Sequence, residues 1–321
     1  MSEVKFGIIG LGNMAHKIAR AMDAVDGGEV VAAGSRTREK ARHFGEQYGL
    51  AEEKCYGDYE ELATDDDIDV VYIATPVGVH KEHSLMCAEY GKGVLCEKST
   101  AENAADLKEM VEKSRTEDTF FMEAMWTRFL PVYRNVRFWL NNNRLGDLRT
   151  VEADISISHR LDPEDIRFDP ELGGGALLDL GIYPVSLFSY IFAEQPEDVG
   201  SVVKMGDTGV DEQLAASFSY SEGAVSSMYC SLFSKSSGKA VIAGTRGRIE
   251  IQRFWYSKKA ELIIDGQLVE IVNRPHKING YEYELQEVVD CIQEGKKESD
   301  IMPCDESIAI MKTMDRIREE W

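Results

Sequence analysis

VKFGIIGLGNMAHKIARAM, residues 4–22, carries the decision about the fold. Val4 to Ile9 is a compact apolar run, short enough for a buried strand. Gly10 and Gly12 interrupt it, and a helical pattern follows from Asn13 to Met22. Gly10-x-Gly12-x-x-Ala15 thus lies between a strand and a helix. Two glycines there let the backbone approach a pyrophosphate, and the helix start offers free N–H groups and a positive dipole end. A plain tight turn would need no such placement, so dinucleotide binding is the expectation.

The pattern repeats outward from this unit. Apolar runs at Glu29 to Ala33, Val70 to Ala74, Val94 to Cys96 and Thr119 to Met122 alternate with helical stretches. Thr37 stands at the start of one, and Asp58 with Glu61 three residues on forms a capping box for another. Further helices are expected at about His80 to Tyr90 and Asn103 to Ser114. Apolar strands joined by helical crossovers imply a doubly wound parallel sheet, a Rossmann-type domain over residues 1–124. Beyond it the period changes. Val151, Ala153, Ile155 and Ile157 alternate with polar residues, as in a half-buried strand. Similar runs follow at Leu214 to Tyr220, Val225 to Ser231, Arg248 to Ile251 and Leu262 to Ile271, with Asp265-Gly266 as a hairpin turn. Pro131 opens a helix, Ala176 to Phe192 reads as a buried one, and Tyr281 to Ile292 and Asp305 to Trp321 close the chain. The expected fold class is α/β: a Rossmann domain followed by an α+β domain, residues 125–321, with a large, mainly antiparallel sheet.

The chain has 321 residues, 43% of them hydrophobic, which suits two globular domains. It carries 36 Lys and Arg against 57 Asp and Glu, a net charge of −21. That excess repels phosphate backbones, so no nucleic acid is expected as partner. The opening MSEVKFGIIG lacks the basic and apolar segments of a signal peptide. Asp179 and Pro184 interrupt the most apolar stretch, so no membrane partner is expected. Six cysteines without a CxxC pair fit reduced thiols and a cytoplasmic location. His80 and His83 form an HxxH without further ligands at metal spacing, so no metal is expected.

The second strand ends in Gly34-Ser35-Arg36-Thr37-Arg38, where sites for NAD usually carry an acid for the ribose 2′-hydroxyl. Ser35 can donate to a phosphate and Arg36 can clasp it with its planar fork. Arg38 adds charge or faces solvent. NADP is the expected cofactor, with NAD disfavoured. Two further stretches bear chemistry. GVLCEK places Glu97 and Lys98 directly after an apolar strand, at the carboxyl end where open parallel sheets bind ligands. GGGALLDLGIY puts Asp179 and Tyr183 four apart on an apolar helix, hence on one face. Those two residues alone allow either a reacting pair or a buried packing hydrogen bond.

GLGNMA, ATPVGVH at 74–80, CEK at 96–98, MEAMWTRFLP at 122–131 and GGGALLDLGIYP at 173–184 come in an order that resembles the glucose–fructose oxidoreductase/inositol dehydrogenase family. Within it the chain most resembles the dimeric dihydrodiol dehydrogenase and NADP-dependent xylose dehydrogenase branch. GYEYELQEVVDCI and ESIAIMKTMDRIR extend the resemblance over nearly the whole length. It implies hydride transfer between NADP and a secondary alcohol of a sugar or a cyclic vicinal diol such as a trans-dihydrodiol. Lys98 matches the catalytic lysine, Asp179 the carboxylate and Tyr183 the final acid/base. Gly10, Gly12, Asn13, Met14, Ser35, Arg36, Arg38, Thr75, Pro76, His80 and Glu97 are implied at the cofactor. Trp126, Arg128, Phe129, Arg167 and Trp255 are implied at a small-molecule substrate, and a homodimer as the assembly. The alternatives are an NADP-binding sensor without turnover, or an enzyme that uses a tightly held cofactor for a net non-redox step. The family usually reads Glu-Lys-Pro, whereas Ser99 stands here in place of proline. X–Pro bonds reach the cis form far more easily than other peptide bonds, so the turn after Lys98 is an open question. Ser99 with Glu102 and Asn103 with Asp106 compete to cap the helix that follows.

Overall fold

The computed structural model describes residues 3–159, 162 and 165–321. The chain divides into two compact units, Met1–Trp126 with Lys277–Ile308, and Thr127–His276 with Ala309–Trp321. The sequence suggests one cut after residue 124. The structure shows a chain that leaves the first unit and comes back to it over Lys277–Ile308.

In the first unit six strands lie in one parallel sheet, β1 (Val4–Ile9), β2 (Gly28–Gly34), β3 (Cys55–Tyr56), β4 (Val70–Ile73), β5 (Gly93–Glu97) and β6 (Phe121–Ala124). Their order is β3-β2-β1-β4-β5-β6, so the chain reverses direction across the sheet between β1 and β4. Ligands of such sheets bind outside the carboxyl ends of the strands at that reversal. The crossovers carry α1 (Asn13–Ala21), α2 (Arg38–Tyr48), α3 (Tyr59–Ala63), α4 (His80–Glu89) and α5 (Ala104–Thr116). Asp58 caps α3 by accepting from the amides of Glu60 and Glu61. For α5 the competition resolves to Asn103, whose side chain accepts from the Asp106 amide at 2.9 Å. The last strand begins two residues later than its pattern suggests. Ser114 and Thr119 first bond each other in the turn after α5, with Ser114 Oγ donating to the Thr119 carbonyl at 2.9 Å.

Register assigns the faces of this sheet. Ile8 pairs with Tyr72 and Tyr72 with Leu95, so these three side chains share one face, and Glu97, two residues beyond Leu95, joins them. A helix from the returning segment, Glu282–Gln293, packs on β1 and β2 and against α1 on that face. Phe6, Ile8 and Tyr72 are all sealed from solvent there. Burial of such a side chain is worth about 1.5–3 kcal/mol.

The second unit is built on eight strands: β7 (Leu148–Ser156), β8 (Asp198–Met205), β9 (Asp211–Ser219), β10 (Val225–Ser231), β11 (Lys239–Gly244), β12 (Gly247–Gln252), β13 (Lys259–Ile264) and β14 (Gln267–Asn273). Their order is β14-β13-β12-β11-β7-β10-β9-β8, and only β7 with β10 runs parallel. Helix α6 (Pro131–Asn141) packs on β13 and β14 and α7 (Ile182–Phe192) on β7, while α8 is the Glu282–Gln293 helix and α9 is Cys304–Glu319. Pro170–Phe192 is long and apolar enough to cross a membrane, yet 83% of its most apolar window is buried inside the fold, as in a core helix. Its first part is not α-helical. Leu177–Gly181 is a π-helical turn, closed by the Ile182 amide on the Leu177 carbonyl five residues back. Such turns recur at functional sites.

Candidate active site

The glycine turn fits a dinucleotide phosphate on its own geometry. Gly10 has φ of +82°, and a Cβ there would lie 2.5 Å from the backbone of Ala74 and Thr75, so only glycine lets the two loops touch. Gly12 is different. A Cβ on it would meet nothing within 4 Å, and Gly12 caps α1 with no side chain on the orphan amides. Open space above uncapped N–H groups is what an anion at a helix start requires. Asn13 is exposed beside it and Met14 half-buried. At the end of β2, Ser35 is buried, its amide on the Tyr56 carbonyl at 3.1 Å, while Arg36 and Arg38 are exposed.

The loops after β4 and β5 are tied together by one histidine. His80 is 1% exposed, with Nε2 2.7 Å from the Thr75 carbonyl and Nδ1 3.0 Å from the Ser99 carbonyl. Burial, the largest influence, pushes its pKa down to about 4, against the pull of the carbonyls. The ring is therefore neutral at pH 7, with a single N–H for two carbonyls. Thr75 also meets His83, Oγ1 to Nδ1 at 3.0 Å, so both members of the HxxH hold the loop after β4. Pro76 is half-buried in the same loop. The Lys98–Ser99 peptide is cis, Ser99 is fully buried and Lys98 is half-buried.

Glu97 does not surface with Lys98. It is 7% exposed, and the Tyr72 hydroxyl donates to its Oε1. Burial raises its pKa, opposed by the Tyr72 bond and by Lys98 and Lys17. On the same face stands Glu284 of α8, 0% exposed and with no hydrogen-bond partner on either oxygen. Burial, then the charge of Glu97, drives its carboxyl well above the usual range. Tyr281, just before α8, stacks on Trp126 with centroids 4.3 Å apart, and its hydroxyl lies 3.9 Å from Met14 Sδ. Trp126 is thereby buried in the first unit, with 4% exposed. Tyr72, Tyr281 and Glu284 carry no local signal in the sequence beyond the GYEYE stretch that opens α8.

In the second unit, Asp179 sits at the centre of the π-helical turn, half-buried, and Tyr183 follows in the first turn of α7, 8% exposed. Arg128 is buried and donates to Ser186, Nε to Oγ at 3.0 Å and Nη2 to the carbonyl at 2.9 Å, three residues beyond Tyr183. Phe129 is 3% exposed. Arg167 pairs with Asp165 at 2.5 Å, and Trp255 lies half-buried with its ring over Gly238, where a Cβ would come within 2.6 Å. The structure thus gathers Gly10, Gly12, Thr75, His80 and the Ser99 carbonyl in one unit, and Asp179, Tyr183 and Arg128 in the other.

Residues 4–124 match a family described as an oxidoreductase family with an NAD-binding Rossmann fold, and residues 133–250 match the GFO/IDH/MocA C-terminal domain. Trans-1,2-dihydrobenzene-1,2-diol dehydrogenase of Mus musculus is 35% identical over 326 residues, covering 98% of this chain and 96% of the relative. The Homo sapiens protein of that name is 33% identical over the same shares. Among solved structures, an aldose–aldose oxidoreductase from Caulobacter crescentus superposes with a TM-score of 0.91 at 25% identity, over 99% of this chain and 97% of that one. A 3-ketoreductase from Actinomadura kijaniata, solved with NADP and TDP-benzene, shares the fold at a TM-score of 0.90 and 22% identity, over 99% and 98%.

Proposed function

Because this chain belongs to the Gfo/Idh/MocA family of oxidoreductases, we propose that it is an NADP-dependent dehydrogenase acting on a secondary alcohol of a sugar or cyclic vicinal diol. The open, uncapped turn at Gly12, with Ser35 and Arg36 at the end of β2, is the observation that carries the reading. Gly10 to Met14 would hold the pyrophosphate, and Ser35 with Arg36 would hold a 2′-phosphate. Nothing acidic stands at the end of β2 to claim a free 2′-hydroxyl. Thr75, Pro76 and His80 shape the wall of the same site. The relatives' names, a diol dehydrogenase and an aldose oxidoreductase, support the substrate class.

When bound, the nicotinamide supplies the hydride acceptor. Tyr183 takes the hydroxyl proton. A phenol has an ordinary pKa near 10, and a cation such as Lys98 beside the reacting oxygen favours the phenolate. Lys98 also stabilises negative charge on the substrate oxygen, and Asp179 orients the hydroxyl. Trp255 offers apolar surface to a ring, and Arg167 a polar edge. Six buried free thiols support a reducing, cytoplasmic setting. The exposed Val202, Val225 and Tyr229 on the large sheet support a homodimer, which light scattering would read.

The test is absorbance at 340 nm with NADP or NAD and a panel of sugars and cyclic diols. Reduction of NADP by at least one substrate class is expected. Lys98→Met and Tyr183→Phe should each lose most turnover while still binding NADP. Near-normal turnover in both variants, or silence across the panel, would refute the assignment.

A further inference from the structure

We propose that Asp211 is a positioning residue for Asp179 and Tyr183: its carboxyl group gathers the amides at the start of their helix and so sets where both side chains stand. The proposal rests on the reading that those two residues act on the substrate. Asp211 opens β9 and is 6% exposed. Its Oδ2 accepts from the Leu177 amide at 2.6 Å, and the Ala176 amide and its own amide add to the set. The Ala176 and Leu177 amides are orphan donors of a helix start, which a carboxylate satisfies best.

The anchor is built from three sides. Gly175 has φ of +116° and lies against Asp211 Oδ1, so any Cβ there would collide with the carboxylate. The Gly175 carbonyl in turn accepts from the Asp179 amide at 3.1 Å. A single peptide therefore links the Asp211 contact to the backbone of Asp179. From β10 below, Cys230 Sγ reaches the Ala176 carbonyl at 3.5 Å. Gly181, the last residue of the π-helical turn, presses on Leu177, Met228 and Cys230, where a Cβ would lie 2.9–3.6 Å from their atoms. The turn that carries Asp179 is thus clamped at its entry by Asp211 and seated on β10 throughout.

Burial pushes the Asp211 pKa up to about 6, against the Leu177 amide, Arg318 and the other two amides. The charged and titratable groups around it are Arg318 from α9 and Cys230 from β10, whose thiol also feels Asp179 on the anchored helix. An ionised acceptor makes the stronger hydrogen bond. The anchor is therefore firmest above that pH and loosens as the carboxyl takes up its proton below it.

Asp211→Asn and Asp211→Ala in the full chain test this by three readouts: hydrogen exchange across residues 173–184, kcat and KM from pH 5 to 8, and NADP affinity. Displacing a reacting group by about 1 Å costs on the order of 100-fold in rate. Asp211→Ala should exchange the Leu177 amide at least about tenfold faster and lose kcat to about that extent, with NADP affinity within about twofold of the parent. Asp211→Asn, which keeps an acceptor oxygen, should recover part of kcat and lack the inflection near pH 6. Wild-type exchange in the helix start, or a folded Asp211→Ala with the parent's kcat and pH profile, would overturn the proposal. If Asp211→Ala does not fold, the pH profile and exchange of Asp211→Asn decide. If no substrate turns over, or Tyr183→Phe is fully active, the dehydrogenase reading fails instead, and exchange alone still decides the anchor.

Discussion

Gly10 and Gly12 sit two residues apart in one turn, yet the structure predicts opposite failures for their alanine variants. At Gly10 an alanine must hold φ of +82° and place its Cβ 2.5 Å from the Ala74–Thr75 peptide. The left-handed backbone costs about 1–2 kcal/mol, and forcing atoms into packed backbone about 1–3 kcal/mol more. A loss of about 2–5 kcal/mol lowers Tm by roughly 4–20 °C for a unit of this size. At Gly12 the backbone has φ of −96°, and nothing lies within 4 Å of an added Cβ. The fold gives up only the small N-cap preference of glycine over alanine, under about 1 kcal/mol. The methyl group instead occupies the space over the α1 amides that the proposed pyrophosphate would fill. Crowding of about 1–3 kcal/mol there weakens binding roughly 5- to 150-fold. Thermal unfolding without cofactor, and fluorescence titration with NADP, separate the two. A Gly10→Ala protein that melts like the parent, or a Gly12→Ala protein that binds NADP as tightly as the parent, would contradict these roles.

Arg36→Ala should remove a charge-assisted contact worth about 1.5–3 kcal/mol and weaken NADP roughly 10- to 150-fold; NAD affinity should stay within about twofold, and an equal loss for both cofactors would contradict the 2′-phosphate assignment. Glu284→Gln should stabilise the protein increasingly as pH rises from about 4.5 towards 7. The native carboxyl keeps its proton while the unfolded one ionises, so the parent loses up to about 1.4 kcal/mol per pH unit above the unfolded pKa. A Tm difference that is constant across this range would show that Glu284 is not held neutral.

Local features read well from the sequence and distant ones did not. The strand, turn and helix of residues 4–22 are contiguous, so the pattern and the glycines state them directly. The same holds for the alternation in β7 and β10 and for the Asp58 cap. The competition at residues 99–106 was also local, but two caps were chemically possible, and only the built helix start shows Asn103 in use. Helix α8 was legible as a helix, while its place on the Rossmann sheet depended on contacts with β1 and β2. Glu97 reads as a charge leaving a strand. Its burial follows from strand parity and from Tyr72, which sits on the next strand of the sheet. Trp126 and Arg128 stand in a motif and invite a binding role, but stacking on Tyr281 and bonding to Ser186 are invisible without the fold. Asp211 lies 34 residues from Leu177 and looks like an ordinary strand-edge acid.

Catalysis here requires that hydride leave a carbinol carbon for the nicotinamide. Trans-1,2-dihydrobenzene-1,2-diol and an aldose, each deuterated at the reacting carbon, can be incubated with NADP, and the recovered cofactor analysed by mass spectrometry. One deuterium per reduced cofactor is expected from at least one substrate, and none with Tyr183→Phe over the same time. Substrate conversion with an unlabelled cofactor, or no conversion of any alcohol, would contradict it.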